Sequence, residues 1–276
     1  MNGSRDVFMI PISVLIPTLN EERNLGECLA GVAWADEVVV VDSLSSDRTV
    51  AIAEAAGARV LAQACTTIEA QKNWAIPQCR HRWVLVVDAD ERVTPELASE
   101  IRTLAPTLGQ GAAAYRIPRR TFFLGRELRY GGIIRLFDRG RGRYGDREVH
   151  GDLEVDGPVA DLRHPLLHHT YRTIDDYLTK FIRYTTWAAN DRWKRGHRAG
   201  WWALAAKPAL RFVGMFVLQR GFLDGLAGFQ YAALSAMSVF VRGAKLRAMH
   251  RARAEDARWP DGKRIIHPGA AIESEA

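Results

Sequence analysis

"EVVVVDSLSSDRTVAIAEAAGARVLA", residues 37–62, is the stretch on which the fold turns. Glu37 to Asp42 is a valine-rich run, a composition that fits a pleated, buried surface. Ser45 and Ser46 offer N-cap oxygens, "TVAIAEAA" supplies a helix, and Gly57 stops it. "ARVLA" is a second, shorter strand. Strand, helix and strand in succession make a βαβ unit with parallel strands. The alternation extends both ways. Ile12 to Ile16 reads as a strand, and Glu21 to Val32 as a helix with Leu25, Leu29 and Val32 at helical spacing. Thr66 and Glu69 make a capping-box pattern before a third helix. Trp83 to Val87 is a fourth strand, and Thr94 with Pro95 opens a fourth helix as cap and N1 proline. Residues 1–110 therefore read as α/β, with a Rossmann-like, mainly parallel sheet buried on both faces.

Sheets of this kind bind ligands at the carboxyl ends of their strands. Three such ends are polar here. The first strand runs into "PTLNEE" (17–22), the second into Asp42 and Ser43, and the fourth into "DADE" (88–91). On an extended chain residues i and i+2 point the same way, so Asp88 and Asp90 face one ligand. Two close carboxylates repel unless a proton or a cation bridges them. Oxygen donors at an open strand end suit Mg²⁺ or Mn²⁺, ions that keep waters and share substrate phosphates. A lone Asp-x-Asp occurs often by chance. One that ends a buried strand beside two other polar strand ends carries more weight. The reading requires both carboxylates to open on a cavity and not to be consumed by salt bridges.

Apolar residues make up 47% and charged residues 25% of the 276, an ordinary globular balance. The charge is uneven. Residues 1–110 carry 9 basic and 15 acidic side chains, residues 111–200 carry 18 and 11, and residues 201–276 carry 11 and 6. An acidic front and a basic remainder call for an anionic partner, either a phosphorylated ligand, a membrane surface or nucleic acid. No nucleic-acid-binding motif is present, so nucleic acid is not expected. Cys28, Cys65 and Cys79 lack metal spacing and, as an odd set, read as reduced thiols of a cytoplasmic protein. Residues 1–10 include Arg5 and Asp6 and no long apolar core, unlike a secretory leader.

Residues 111–170 change character. Ten arginines fall between Arg116 and Arg147, among short strands and turn glycines, and the segment reads as a β-rich extension over the polar sheet edge. Residues 171–248 read as helical, with Thr173 and Asp176 repeating the capping-box pattern. The 17 uncharged residues between Asp224 and Arg242 fall short of the roughly 20 that a spanning helix wants. The expectation is helices lying on an anionic membrane surface, with Trp201 and Trp202 at the interface beside flanking Lys207, Arg211, Arg220 and Arg242. Residues 249–276 are polar, include Pro260 and Gly262, and read as a mobile tail.

"VLIPTLNEERNL" (14–25), "VVVVDSLSSDRTVAIAEAAGARV" (38–60), "QKNWAI" (71–76) and "VLVVDADERV" (84–93) resemble the nucleotide-sugar domain of family 2 glycosyltransferases. "RLFDRGRGRY" (135–144), "LLHHTYRTIDDYLTKFIRYTTWAA" (166–189) and "RGFLDGLAGF" (220–229) are similar to the subgroup that builds lipopolysaccharide cores, whose best-known members resemble a β-1,4-glucosyltransferase. The resemblance implies a GT-A nucleotide-diphospho-sugar transferase fold over residues 1–170, with a C-terminal helical extension. It implies transfer of a hexose with inversion, with UDP-glucose as donor and a lipid-linked glycan as acceptor. The place of action would be the inner face of the cytoplasmic membrane. By the same resemblance Pro17, Thr18 and Glu21 form the first nucleotide loop, Asp42 accepts from the base, Lys72 holds phosphate, and Asp88 and Asp90 hold metal and diphosphate. Ser43 stands where many relatives have a second Asp.

The catalytic base is open. Many members place Glu where this chain has Gly151, which leaves Glu148 as the first choice and Asp146, Asp152 and Glu91 as nearby alternatives. His150 is a candidate ligand of the metal or the diphosphate, or a structural loop histidine. One of His168 and His169 is a candidate for pointing into the site, and Arg129 and Arg135 for binding phosphate. Two rival readings remain: a polyprenyl-phosphate glycosyltransferase, and a relative that binds donor without catalysis.

Overall fold

Ile12–Thr18 (β1) is the spine of the molecule, buried along its whole length. It pairs in parallel with Glu37–Asp42 (β2) on one side and Trp83–Val86 (β4) on the other, and Arg59–Ala62 (β3) adds to β2. Side chains alternate between two cores, as a period of two requires. Val14, Ile16, Val40 and Leu85 pack beneath Leu25–Val32 (α1) and Pro95–Leu104 (α4). Leu15, Val39, Val41 and Val84 pack beneath Ile68–Ala75 (α3). This computed structural model describes residues 10–65, 67–123, 126–145, 153–171 and 173–256. Glu148, His150, Asp152 and Asp146 lie outside the described residues.

The β-rich segment after residue 110 joins the main sheet itself. Ala114–Phe123 (β6) and Arg126–Asp138 (β7) form a hairpin, and β7 pairs antiparallel with β4. Leu166–Tyr171 (β11) follows beside β6, and Glu91–Val93 (β5) closes the path on β11. The order is β3-β2-β1-β4-β7-β6-β11-β5, with Val159–Asp161 (β10) also on β6. The sheet is mixed and continuous across the four early strands and the later ones. Gly142–Tyr144 (β8) and Leu153–Val155 (β9) make a small second sheet under α3.

Three local expectations shift. The first helix starts at Leu25, one turn later than expected, and the N–H groups of Glu21 and Glu22 in the turn before it donate to Thr49 Oγ1 and Asp47 Oδ2. Neither Ser45 nor Ser46 caps the next helix, Thr49–Ala55 (α2), since the Ser45 hydroxyl donates to Asp42 Oδ1 and the Ser46 hydroxyl to Asn20 Oδ1. The α3 cap is Thr67, which accepts from Ala70 N at 3.1 Å. The expected cap, Thr66, lies outside the described residues. Thr94 caps α4 as expected, and Thr173 with Asp176 completes the capping box of Ile174–Lys194 (α5).

The C-terminal part is a helical layer. Trp201–Val213 (α6), a π turn at Gly214–Leu218 and Gly225–Asp256 (α7) fold back on α5. Phe123 and Leu128 of the sheet pack against Tyr177, Phe181 and Tyr231, so α5 and α7 sit against the β6–β7 hairpin. Residues 249–256, expected in a tail, continue α7. Arg and Ala are strong helix formers, so a polar composition there does not end the helix. The three cysteines are unbonded to one another.

Candidate active site

The polar strand ends open on one cavity of about 590 Å³. Its floor is set by two loops zipped together by side-chain to backbone bonds. Asn20 Oδ1 accepts from Ser46 N at 2.8 Å, Ser45 Oγ accepts from Asn20 N at 2.8 Å, and Thr49 Oγ1 accepts from Glu21 N at 2.8 Å. Asn20 and Leu44 both take positive φ, at 55° and 62°. A left-handed Leu is rare, and such strain persists where the surroundings over-determine it.

Pro17, Thr18, Glu21, Lys72, Asp88 and Asp90 all line this cavity. Asp42 does not. It is 2% exposed and its carboxylate is occupied by its own loop, accepting from Thr18 Oγ1 at 3.0 Å, Ser45 Oγ at 2.5 Å and Ser45 N at 2.7 Å. Asp42 shapes the loop, and Ser43 is the residue of that strand end that faces the cavity.

Asp88 and Asp90 face the cavity and are also ion-paired, so the structure divides the expectation made for them. Lys72 Nζ lies 2.8 Å from Asp88 Oδ1, and Arg135 holds Asp88 Oδ2. Arg135, 2% exposed, also reaches Glu91 Oε1 at 2.7 Å, while Glu91 Oε2 accepts from Asp88 N at 2.9 Å. Burial alone would push the Asp88 carboxyl up; Arg135 and Lys72 overcome it and hold it well below the usual range. Burial likewise works against the Lys72 ammonium, and Asp88 reverses the balance and raises its pKa. Two sequence-based roles therefore change. Arg135 is the buried partner of Asp88 and Glu91, not a free phosphate binder. Glu91 has no exposure and spends both oxygens beneath the floor, so it is out of reach of any acceptor hydroxyl.

Asp90 has different partners. Lys180 Nζ of α5 donates to Asp90 Oδ2 at 2.8 Å, and His168 Nε2 lies 3.5 Å from Asp90 Oδ1. Burial opposes the Asp90 charge, and Lys180 with His168 outweighs it, holding the carboxyl well below its ordinary value. The β5–β11 pairing creates this contact. It sets His168 opposite Glu91, and His169 N donates to Asp90 O at 2.9 Å. His168 faces the cavity, within 3.4 Å of Thr121 Oγ1, and His169 stacks on Phe122 at 4.9 Å. Among the described residues no group of three or more His, Cys, Asp or Glu is placed to hold a metal ion unaided. Asp90 and His168 converge on the cavity, but Asp90 already has Lys180 on one oxygen and His168 3.5 Å from the other, so a metal ion there would share Asp90 with Lys180. Asp88, with both oxygens on Lys72 and Arg135, is not a third donor.

Lys180, Lys72 and Asp42 come from three separate elements, and sequence spacing gives no sign that Lys180 meets Asp90. The only cue in the chain was the basic excess after residue 110.

Comparison with known proteins follows the same outline. The lipopolysaccharide core biosynthesis glycosyltransferase LpsC of Rhizobium meliloti (strain 1021) is 30% identical over 260 residues, covering 89% of this chain and 95% of that protein. An uncharacterized glycosyltransferase of Rickettsia typhi is 29% identical, covering 87% of this chain and 88% of the relative. Among solved structures, S. aureus TarS 1–349 in complex with UDP superposes with a TM-score of 0.48 at 18% identity, covering 94% of this chain and 95% of that one. The pattern that defines Glycosyl transferase family 2 matches residues 13–152, the span that builds strands β1 to β8. That match, with LpsC alike along nearly the whole length, makes this chain a glycosyltransferase belonging to glycosyl transferase family 2.

Proposed function

We propose that the chain is an inverting hexosyltransferase that moves glucose from UDP-glucose to a lipopolysaccharide core or a related cell-envelope glycan. The observation that carries this reading is the convergence of Asp90, His168 and Lys180 at the rim of a cavity floored by the nucleotide loops. The acceptor class is supported by the likeness to LpsC, a lipopolysaccharide core biosynthesis glycosyltransferase, and the donor class by the resemblance of the 14–25 and 84–93 motifs.

The residues fit a divalent ion, Mg²⁺ or Mn²⁺. Such an ion takes one or two protein ligands and completes its shell with water and substrate phosphates, and Asp90 with His168 supplies two. Bound there, it would offset charge on the departing diphosphate. Lys72 and Lys180 add positive potential at the same rim, and the loop of Pro17 to Glu21 forms the wall for the nucleotide. The acceptor oxygen attacks the anomeric carbon, the bond to UDP breaks, and a base takes the hydroxyl proton. Glu148 is the proposed base, with Asp152 beside it in sequence. His150 is a further proposed contact to the metal or diphosphate.

The site of action proposed is the cytoplasmic face of the membrane. One helical window, Trp201–Leu218, is apolar and long enough to cross a bilayer, and only 6% of it is buried in the protein. Lys207 and Arg211 lie inside that window. At the centre of a spanning helix each would cost about 2.5–3.5 kcal/mol, which favours a helix lying flat on the surface.

Asp90→Asn keeps the side-chain volume and removes the charge. Transfer from UDP-glucose, followed as UDP release with Mn²⁺ present, is expected to fall at least about a hundredfold. The circular dichroism spectrum should stay unchanged. A folded variant with full transfer would refute the role given to Asp90.

A further inference from the structure

Charge pairing around the cavity leaves two guanidiniums over. Lys72 and Arg135 are matched by Asp88 and Glu91, Lys180 by Asp90, and Arg116 by Asp161 at 3.1 Å. Arg119 on β6 and Arg183 on α5 line the same cavity. Among the described residues neither has a carboxylate in ion-pair range, and the Nε of each is buried without a hydrogen-bond partner. A buried donor left unmatched is destabilising, so the arrangement calls for an acceptor that the described residues do not supply.

Both side chains are held in position. The β6–β7 register shifts between Ile117 and Arg119, and irregularities of this kind re-aim side chains beside sites. The Arg183 guanidinium carbon sits 5.5 Å from the Tyr184 ring centre and 5.4 Å from that of Trp187. Such stacking orients a guanidinium without neutralising it. Lys245 of α7 fixes α5, donating to Ile182 O, Thr185 Oγ1 and Thr186 Oγ1 at 3.0, 2.9 and 2.7 Å.

We infer that Arg119 and Arg183 form a subsite for an anionic group, phosphate or carboxylate, carried by the acceptor saccharide. The inference rests on the donor reading above and goes one step past it. A divalent ion at Asp90 and His168 answers the charge of the donor's diphosphate. The two arginines remain, and the acceptor is the ligand of the transfer still to be placed. Guanidinium forks match both phosphate and carboxylate in bidentate geometry.

The test is calorimetric titration of the full chain with UDP and Mn²⁺ saturating the donor side. The probes are glucose 6-phosphate and glucuronate, with glucose as the neutral control. The anionic sugars are expected to bind alongside UDP and to bind better than glucose, and the tighter of the two identifies the preferred anion. Arg119→Gln and Arg183→Gln should each weaken that binding by about tenfold or more while UDP affinity holds. Displacement of the anionic sugars by UDP would overturn the inference and assign the arginines to the diphosphate. Anionic sugars binding no better than glucose, or variants binding them as the wild type does, would also overturn it. A wild-type chain that binds no UDP would sink the donor reading beneath it, an outcome separable from the others.

Discussion

Strands β1, β2 and β4 and helix α6 are all rich in apolar side chains, and only the strands bury them. Val14, Leu15, Ile16, Val39, Val40 and Val84 have no exposure, with α1 and α4 on one face and α3 on the other. Each such side chain contributes about 1.5–3 kcal/mol on burial, so the sheet is held together in water by its own contents. No residue of α6 is buried; Trp201 is 73% exposed, and Leu218 in the turn that follows is 78% exposed. Helix α6 packs on α7 and leaves its other face open. The difference teaches that an apolar run acquires its meaning from what lies opposite it. A contiguous exposed apolar face is a place for a second apolar phase or partner, and here basic residues border it.

If the open face of α6 meets lipid as proposed, that contrast breaks most visibly there. Replacing Trp201, Leu210 and Leu218 together with Ser removes three large exposed side chains and leaves the sheet untouched. Partial burial of three such groups in a lipid interface is worth on the order of 3 kcal/mol, so partitioning onto phosphatidylglycerol vesicles should drop about a hundredfold. UDP affinity should hold. Vesicle binding equal to that of the wild type would mean that α6 does not face lipid.

The same contrast governs what could be read from the chain. Strands β1 to β4, the Thr94 and Thr173 caps and the polar strand ends follow from local signals, because periodicity and capping act within a few residues. The β5–β11 pairing does not. A three-residue strand matched over some 75 positions carries no local mark, and it is this pairing that brings His168 to Asp90. The sequence offers Arg135, with Arg129, as a phosphate binder; its role beneath Asp88 has no local sign, since only the sheet order decides which arginine lies there. In the helical layer Lys207 and Pro208 break the apolar run in sequence, so attention falls on the 17 uncharged residues after Asp224, while the longer window is Trp201–Leu218.

A smaller effect separates ion pairs of the two regions. Asp88→Asn leaves Lys72 unmatched and Arg135 with Glu91 alone. Breaking a wholly buried pair costs about 3–5 kcal/mol; Asp88 keeps 29% side-chain exposure, so about 2 kcal/mol is expected from urea unfolding. Asp191→Asn breaks the Arg195–Asp191 pair at 2.9 Å on α5, whose arginine is 44% exposed, and exposed i,i+4 pairs contribute roughly 0.3–0.5 kcal/mol. Equal losses from the two variants would erase the distinction between a charge network under the cavity and solvated pairs on the helices.

The smallest effect has the opposite sign. Burial raises the Glu21 carboxyl pKa; Lys180, 3.9 Å away, lowers it, Asp90 adds to the rise, and the net shift is upward. A carboxyl that binds its proton more tightly when folded loses stability as it ionises. The wild type is thus held back at neutral pH by a charge that the nucleotide loop keeps at the cavity wall. Glu21→Gln keeps an oxygen for Asn24 Nδ2, which donates to Glu21 Oε2 at 2.7 Å. It should raise the unfolding midpoint at pH 7 by an amount worth less than about 1 kcal/mol. The gain should shrink as pH falls through the raised pKa and vanish below the ordinary value of 4.5. Asp88 and Asp90, with lowered values, support the fold from the ordinary carboxylate range upward and lose that support only in stronger acid. A gain from Glu21→Gln that stays flat to pH 3 would come from packing of the amide. The cavity wall would then carry no charge held at a cost in stability, and in that respect it would be no different from the helical layer.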